Sequence, residues 1–218
     1  VPMRNIVIYG CGGFGREVLQ VIHAINAEGP TWNVLGFAVD PGIVHPETVH
    51  ELPVSSDLSH FGDDPLPDVV IAIGSPAARK GIATRLGARG HAFPALVHPR
   101  AWLGENVRLS DGVVICAGAC LTTDIELSDH VHVNLSATVG HDVEIGAFST
   151  ISPGANISGN VRLAEEVEIG TGASIIQRIP VGRASVIGAG AAVVREIPEN
   201  SVAVGVPAKV IQTKSDPA

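Results

Sequence analysis

From Leu103 onward every sixth residue is aliphatic: Leu109, Ile115, Leu121, Leu127, Val133, Val139, Ile145, Ile151, Ile157, Leu163, Ile169, Ile175, Val181, Ile187 and Val193 follow without a break, and Val97 extends the register backwards. Four residues further on comes a small or β-branched side chain, as at Val107, Val113, Ala119, Ile125, Val131, Ala137, Val143, Ser149, Ala155, Val161, Val167 and Ala173. Glycine often follows the aliphatic position, as at Gly104, Gly140, Gly146, Gly170, Gly182 and Gly188. A spacing of six fits neither an α-helix nor simple strand alternation, and it is the signature of a parallel β-helix with hexapeptide repeats. Each short strand would point one aliphatic side chain into a prism. Three hexapeptides would close a triangular coil, so that residues 18 apart stack at about 4.8 Å, the normal strand spacing. The alternative is a β-sandwich, whose irregular turns would not hold one register for so long. Composition agrees with the prism: the chain is 45% hydrophobic but only 4% aromatic, so its core must be built from Val, Ile, Leu and Ala, which narrow repeated layers accommodate.

The repeat leaves the first half of the 218 residues unexplained, and a chain of this length can hold two small domains. Asn5-Ile6-Val7-Ile8-Tyr9 reads as a short buried strand. Gly10-Cys11-Gly12-Gly13-Phe14-Gly15 then reads as a turn, and residues 16–25 carry apolar positions at helical spacing. Strand, glycine turn and helix in that order are the context in which a GxGxxG-type match has meaning. Glycines let the backbone approach a ligand, and the helix N-terminus offers N–H groups and partial positive charge to a phosphate. A second strand, Val34–Val39, ends at Asp40, where a Rossmann-like unit places an acidic residue near a ribose or base. A third, Asp68–Gly74, leads into a helix from about Pro76 to Leu86. The span is too short for a complete dinucleotide fold. It therefore favours a nucleotide-sugar with its pyrophosphate at the glycine loop over an NAD-dependent dehydrogenase, or over glycines that only shape a tight turn.

Charge and cysteines narrow the class. The net charge is −8 and no Lys/Arg cluster appears, which argues against a nucleic-acid surface. Cys11, Cys116 and Cys120 are an odd number without framework or metal spacing, which fits a reducing, cytoplasmic setting and no metal site. No apolar run approaches the roughly 20 residues that span a bilayer. Val1-Pro2 ahead of Met3 reads as added residues or an upstream start.

Three features together give a resemblance that covers nearly the whole chain. They are the order of the two halves, the segment Gly205-Val206-Pro207-Ala208-Lys209, and Val139-Gly140-His141-Asp142-Val143-Glu144-Ile145-Gly146, which matches a His-Asp/Glu-x-x-Ile-Gly motif. The chain resembles the sialic acid O-acetyltransferase (NeuD-like) family, which includes the N-acetyltransferases of nucleotide-linked amino sugars (PglD-like), within the hexapeptide-repeat acyltransferase superfamily. The resemblance implies an α/β Rossmann-like nucleotide-sugar-binding domain over 1–96, a left-handed parallel β-helix over 97–211, a tail over 212–218 and a homotrimer. The implied reaction takes acetyl from acetyl-CoA and, as first choice, N-acetylates a nucleotide-linked amino-dideoxy sugar. O-acetylation of sialic acid or a related sugar is the alternative, and a β-helix that binds without turnover is another.

The resemblance also assigns residues. His141 would be the general base and Asp142 would raise its basicity; on spacing alone, a histidine at a β-helix corner is a solvated turn residue. Gly10, Gly12, Gly13, Gly15 and Asp40 would hold the nucleotide, although Phe14 stands where the family usually has His. Asn134 would lie near the reacting groups, or simply stack with Cys116 and Ser152 one coil away. Thr150 stands where many relatives have a second His beside the thioester, and Gly170, Gly172, Ala173, Gly188, Ala189 and Lys209 match the region that holds acetyl-CoA in the groove between prisms. His98, before Pro99, reads as structural, and His130 and His132 as surface or stacking residues.

Overall fold

The computed structural model describes residues 2–214, and the chain divides into two compact units, one ending at Pro99 and the other beginning at Arg100. The first unit runs β1 (Arg4–Tyr9), α1 (Gly13–Glu28), β2 (Trp32–Ala38), β3 (Thr48–Val49), β4 (Leu52–Ser55), β5 (Asp68–Ile71) and α2 (Pro76–Gly87). Its sheet has the order β3-β4-β2-β1-β5, with β1 parallel to both β2 and β5 and only β3 antiparallel. Ile6, Val7, Ile8, Val69, Val70 and Ile71 are all buried, as continuous apolar runs in central parallel strands must be. Helix α1 turns Val18, Leu19, Val21 and Ile22 inward. Ser75 caps α2 through its hydroxyl, and Pro76 opens it, which is the preferred chemistry at a helix start. The β3-β4 hairpin is not announced by its sequence. Its turn residues His50 and Glu51 both take left-handed φ, 47° and 66°, as a two-residue turn of this kind requires, without the Asn or Gly that usually signals it.

The second unit is a left-handed parallel β-helix. One face carries six strands from Trp102–Leu103 to Ala192–Val193, and the next carries five from Val107–Leu109 to Pro180–Val181. The third includes Val114–Ile115, His132–Val133, Thr150–Ile151, Glu168–Ile169 and Val186–Ile187. Partners are 18 residues apart, as in Thr138↔Asn156 and Asn156↔Ser174, until the last coil, where Val186 pairs with Val202. Leu121, Val139, Ile157, Ile175 and Val193 form one buried column. Burying each such side chain contributes roughly 1.5–3 kcal/mol, so the column as a whole, and no single rung, sets the stability.

The corners explain two further patterns. The third residue after each aliphatic position takes a left-handed φ, at Asn106, Asp124, His130, Ser136, Asp142, Phe148, Asn160, Glu166, Arg178 and Ala184, with glycine at 112, 118, 154, 172 and 190. None of these is β-branched, the class for which that conformation is most costly. The glycine directly after the aliphatic position has a different cause: a Cβ on Gly146 would lie 2.5 Å from the Ala164 carbonyl carbon of the next coil.

The top of the prism is closed by an antiparallel hairpin of Ser201–Val204 and Lys209–Thr213, with the Ala208 amide donating to the Ala192 carbonyl at 2.8 Å. This strand takes in the start of the segment expected as tail, and residues 215–218 lie outside the described residues. His130 and His132 are buried, not superficial. The His130 ring stacks on Phe148 with centroids 5.2 Å apart, and His132 pairs with Thr150 one coil on. Among the described residues no helix is long and apolar enough to cross a membrane.

Candidate functional site

In the first unit the sheet order reverses between β1 and β5, and in open α/β sheets ligands bind beyond the carboxyl ends of the strands at such a point. A cleft of about 490 Å³ opens there, lined by Gly10 to Phe14 after β1, Asp40 after β2, and Ile73 and Gly74 after β5. Two of the expected glycines are steric necessities. Gly10 has φ +113°, with Ala72 O 2.8 Å from any added Cβ, and a Cβ on Gly15 would sit 1.9 Å from Gly10 O. Gly12 and Gly13 meet nothing. Gly12 is the N-cap of α1 and has no side chain to close that end, so the helix terminus faces the cleft in the manner of a phosphate site.

Asp40 lies at the rim within a polar cluster. It accepts from Tyr9 Oη at 2.8 Å and is paired with Arg85, whose Nη2 also donates to Tyr9 Oη at 2.7 Å. Burial, then the hydrogen bond to Asp40, pushes the Tyr9 phenol up to about 12, so it stays protonated near neutral pH and donates its hydrogen to Asp40. A second cleft of about 470 Å³ opens on the other side of Tyr9, lined by Ser56, Asp57, Arg85 and Arg89 among others. Behind the main cleft, Arg79 of α2 is fully buried and donates from Nη1 to the carbonyls of Ile73 at 2.7 Å and Gly74 at 3.3 Å, which fixes the loop after β5.

In the β-helix, His141 and Asp142 occupy the corner after strand Thr138–Val139. His141 Nδ1 and Asp142 Oδ2 are 2.7 Å apart, and the two side chains are 59% and 57% exposed. With the proton on Nδ1 donated to the carboxylate, Nε2 is the basic nitrogen, the arrangement a general base needs. Beside this corner Asp124, Asp142, Glu144, Asn160, Arg108 and Arg162 line a polar hollow of about 380 Å³.

The remaining expected residues gather elsewhere. Asn134, Gly170 and Gly188 fall 18 residues apart or a multiple of it, along the edge that follows the third face, with Gly172, Ala173 and Ala189 in the same turns. Asn134 Oδ1 is engaged by the amide of Leu135 at 2.7 Å, a local turn contact. Thr150 lies on the third face, opposite the His141 corner, so one chain does not bring the two together. Lys209 is exposed at the start of the closing strand. Among the described residues no cluster of three His, Cys, Asp or Glu is placed to hold a metal.

The model of the PglD N-terminal domain matches residues 5–86. Curated protein sequences give no match. The acetyltransferase domain of PglB from Neisseria gonorrhoeae FA1090 is 33% identical over 95% of this chain and 100% of that one, with a TM-score of 0.84. The chain belongs to the PglD-like sugar N-acetyltransferases. PerB from Caulobacter crescentus, solved with CoA and GDP-perosamine, is 28% identical over 97% of this chain and 99% of its own, with a TM-score of 0.87. WeeI from Acinetobacter baumannii AYE is 28% identical over 96% and 100%, with a TM-score of 0.84. The perosamine N-acetyltransferase of Caulobacter crescentus has also been solved with one histidine replaced by asparagine or alanine.

Sequence reasoning missed three residues of this PglD-like chain. Arg79 and Arg85 sit in α2, and neither spacing nor composition marks one as buried and the other as Asp40's partner. Gly159 lies one coil above His141. The period of 18 is the one signal that could have pointed to it.

Proposed function

We propose that the protein transfers acetyl from acetyl-CoA to the amino group of a nucleotide-linked amino-dideoxy sugar, with His141 as general base. The observation that carries this reading is the exposed His141–Asp142 pair in a chain of this family. The acceptor amine attacks the thioester carbonyl, Nε2 of His141 takes its proton, and the C–S bond breaks as the tetrahedral intermediate collapses. The proton then goes to the departing thiolate or to solvent. Asp142 holds the ring in the required tautomer and stabilises the imidazolium. The nucleotide is held at the cleft of Gly10, Gly12, Gly13, Gly15 and Asp40, its pyrophosphate against the start of α1 and its ribose or base toward Asp40 and Arg85.

The working unit in this reading is a homotrimer in the cytoplasm. The edge bearing Asn134, Gly170, Gly172, Ala173, Gly188 and Ala189 differs from the edge bearing His141. A coenzyme arm reaches both sets when the edge of a second copy is laid beside the first, with Thr150 near the thioester and Lys209 toward a phosphate. Three cysteines without framework spacing, Cys11, Cys116 and Cys120, fit a reducing compartment.

The deciding assay incubates the protein with acetyl-CoA and a panel of nucleotide-linked amino sugars, sialic acid and NAD, and follows thiol release and acetylated product. Turnover confined to amino sugars is the expected result. Turnover on sugar hydroxyls alone would move the assignment to O-acetylation, and CoA binding without turnover to a scaffold. Arg85→Ala is expected to weaken nucleotide-sugar affinity about tenfold by calorimetry, the loss of roughly 1.5 kcal/mol that one charge-assisted hydrogen bond supplies. Unchanged affinity would remove the cluster around Asp40 from the acceptor site.

A further inference from the structure

We propose that Gly159 is a positioning residue for His141: because it lacks a Cβ, the imidazole can lie flat on the coil above, which fixes the direction of Nε2. The proposal deepens the acetyl-transfer reading and rests on His141 as its base. A Cβ built on Gly159 would lie 2.5 Å from His141 Nε2, 2.6 Å from Cε1 and 3.0 Å from Cδ2. Such similar distances to the nitrogen and both of its flanking carbons put that Cβ over the face of the ring and not in its plane. The in-plane lone pair of Nε2 therefore points clear of the coil, toward an incoming amine. Two supports hold the ring, the Gly159 backbone against its upper face and the 2.7 Å bond from Nδ1 to Asp142. The Asn160 amide, which donates to the His141 carbonyl at 2.8 Å, locks the two corners together.

The backbone does not explain this glycine. Gly159 is absent from the residues with positive φ. The same place in the other repeats is filled by Glu105, Thr123, Leu135, Pro153, Gln177 and Arg195 among others, and among Leu103–Val193 it is glycine only at 159. A side chain is thus acceptable at this corner wherever no imidazole lies beneath it. An exposed ring yields to an added methyl at little cost to the fold, and it yields by rotating off its seat and away from Asp142.

The test is Gly159→Ala in the full chain. The expected result is a kcat lower by about 10²-fold, the effect of a misplaced catalytic group, with KM for acetyl-CoA and Tm unchanged. Histidine ¹⁵N spectra should show His141 losing the Nδ1-protonated tautomer, a change that a merely structural role would not produce. Glu105→Ala, at the same place in the repeat but two coils below His141, should leave both readouts at wild type. A wild-type kcat with an unaltered His141 spectrum would overturn the proposal, as would a kcat loss that only tracks a fall in Tm. The spectrum reads ring placement whether or not His141 is the base, so a failure of the base assignment, seen as an active His141→Ala enzyme, or of the acetyl-transfer reading, seen as wild-type protein without turnover, is distinguishable from a failure of this one.

Discussion

His141→Ala lowers kcat by about 10³- to 10⁴-fold, the upper range for removal of a general base, while acetyl-CoA still binds with unchanged affinity. The separation of the two effects follows from geometry. The imidazole projects from an exposed corner after Thr138–Val139, away from the edge formed by Gly170, Gly172 and Gly188, so its loss leaves no buried hole and disturbs no rung of the column. Thiol release measures the first quantity and calorimetry the second. Asp142→Asn keeps a side chain of the same size but no longer compels the proton onto Nδ1, so it should fall between wild type and the alanine variant. A His141→Ala enzyme turning over at close to the wild-type rate would require a different base and leave the corner pair as a surface ion pair.

Arg79→Ala destabilises the first unit by about 3 kcal/mol, the combined effect of a cavity and of carbonyls left without their charged donor. Few arginines are fully buried, and this one reaches from α2 to the carbonyls of Ile73 and Gly74, which form one wall of the glycine-loop cleft. Urea unfolding of the full chain followed by tryptophan fluorescence measures the effect, because Trp32 is buried in this unit whereas Trp102 is 58% exposed. Nucleotide-sugar binding should weaken in parallel, since the loop and the cleft share residues. An unchanged midpoint would mean that other contacts hold the loop.

What was readable in advance divides along the length scale of the interaction. The aliphatic positions from Leu103 to Val193 dictate the prism because a burial pattern repeated at one period admits one architecture. Gly10 and Gly15 were readable as a loop, but which of the four glycines is sterically obligatory depends on Ala72 and on Gly10 O, contacts that form only when β5 and α1 are in place. The histidines show the same boundary. The pairing of His141 with Asp142 follows from their adjacency in the chain, whereas His132, expected as a surface or stacking residue, is 1% exposed. Its hexapeptide carries no mark of that. Arg79 and Arg85 lie six positions apart on one helix, and only packing tells the buried clamp from the partner of Asp40 at the cleft rim. The turn at His50-Glu51 lacks the usual glycine, so the hairpin it makes was invisible to pattern reading.

The left-handed corners carry a consequence for how such a column comes apart. A non-glycine residue in that conformation costs about 1–2 kcal/mol, and the cost recurs at each of the corners not occupied by glycine, offset only by stacking on the coils above and below. An end coil has one such neighbour in place of two, so opening should begin at the extremities and advance inward. The corner bearing His141 follows the third of the six strands on its face, which puts the imidazole among the last groups to be released as the ends fray.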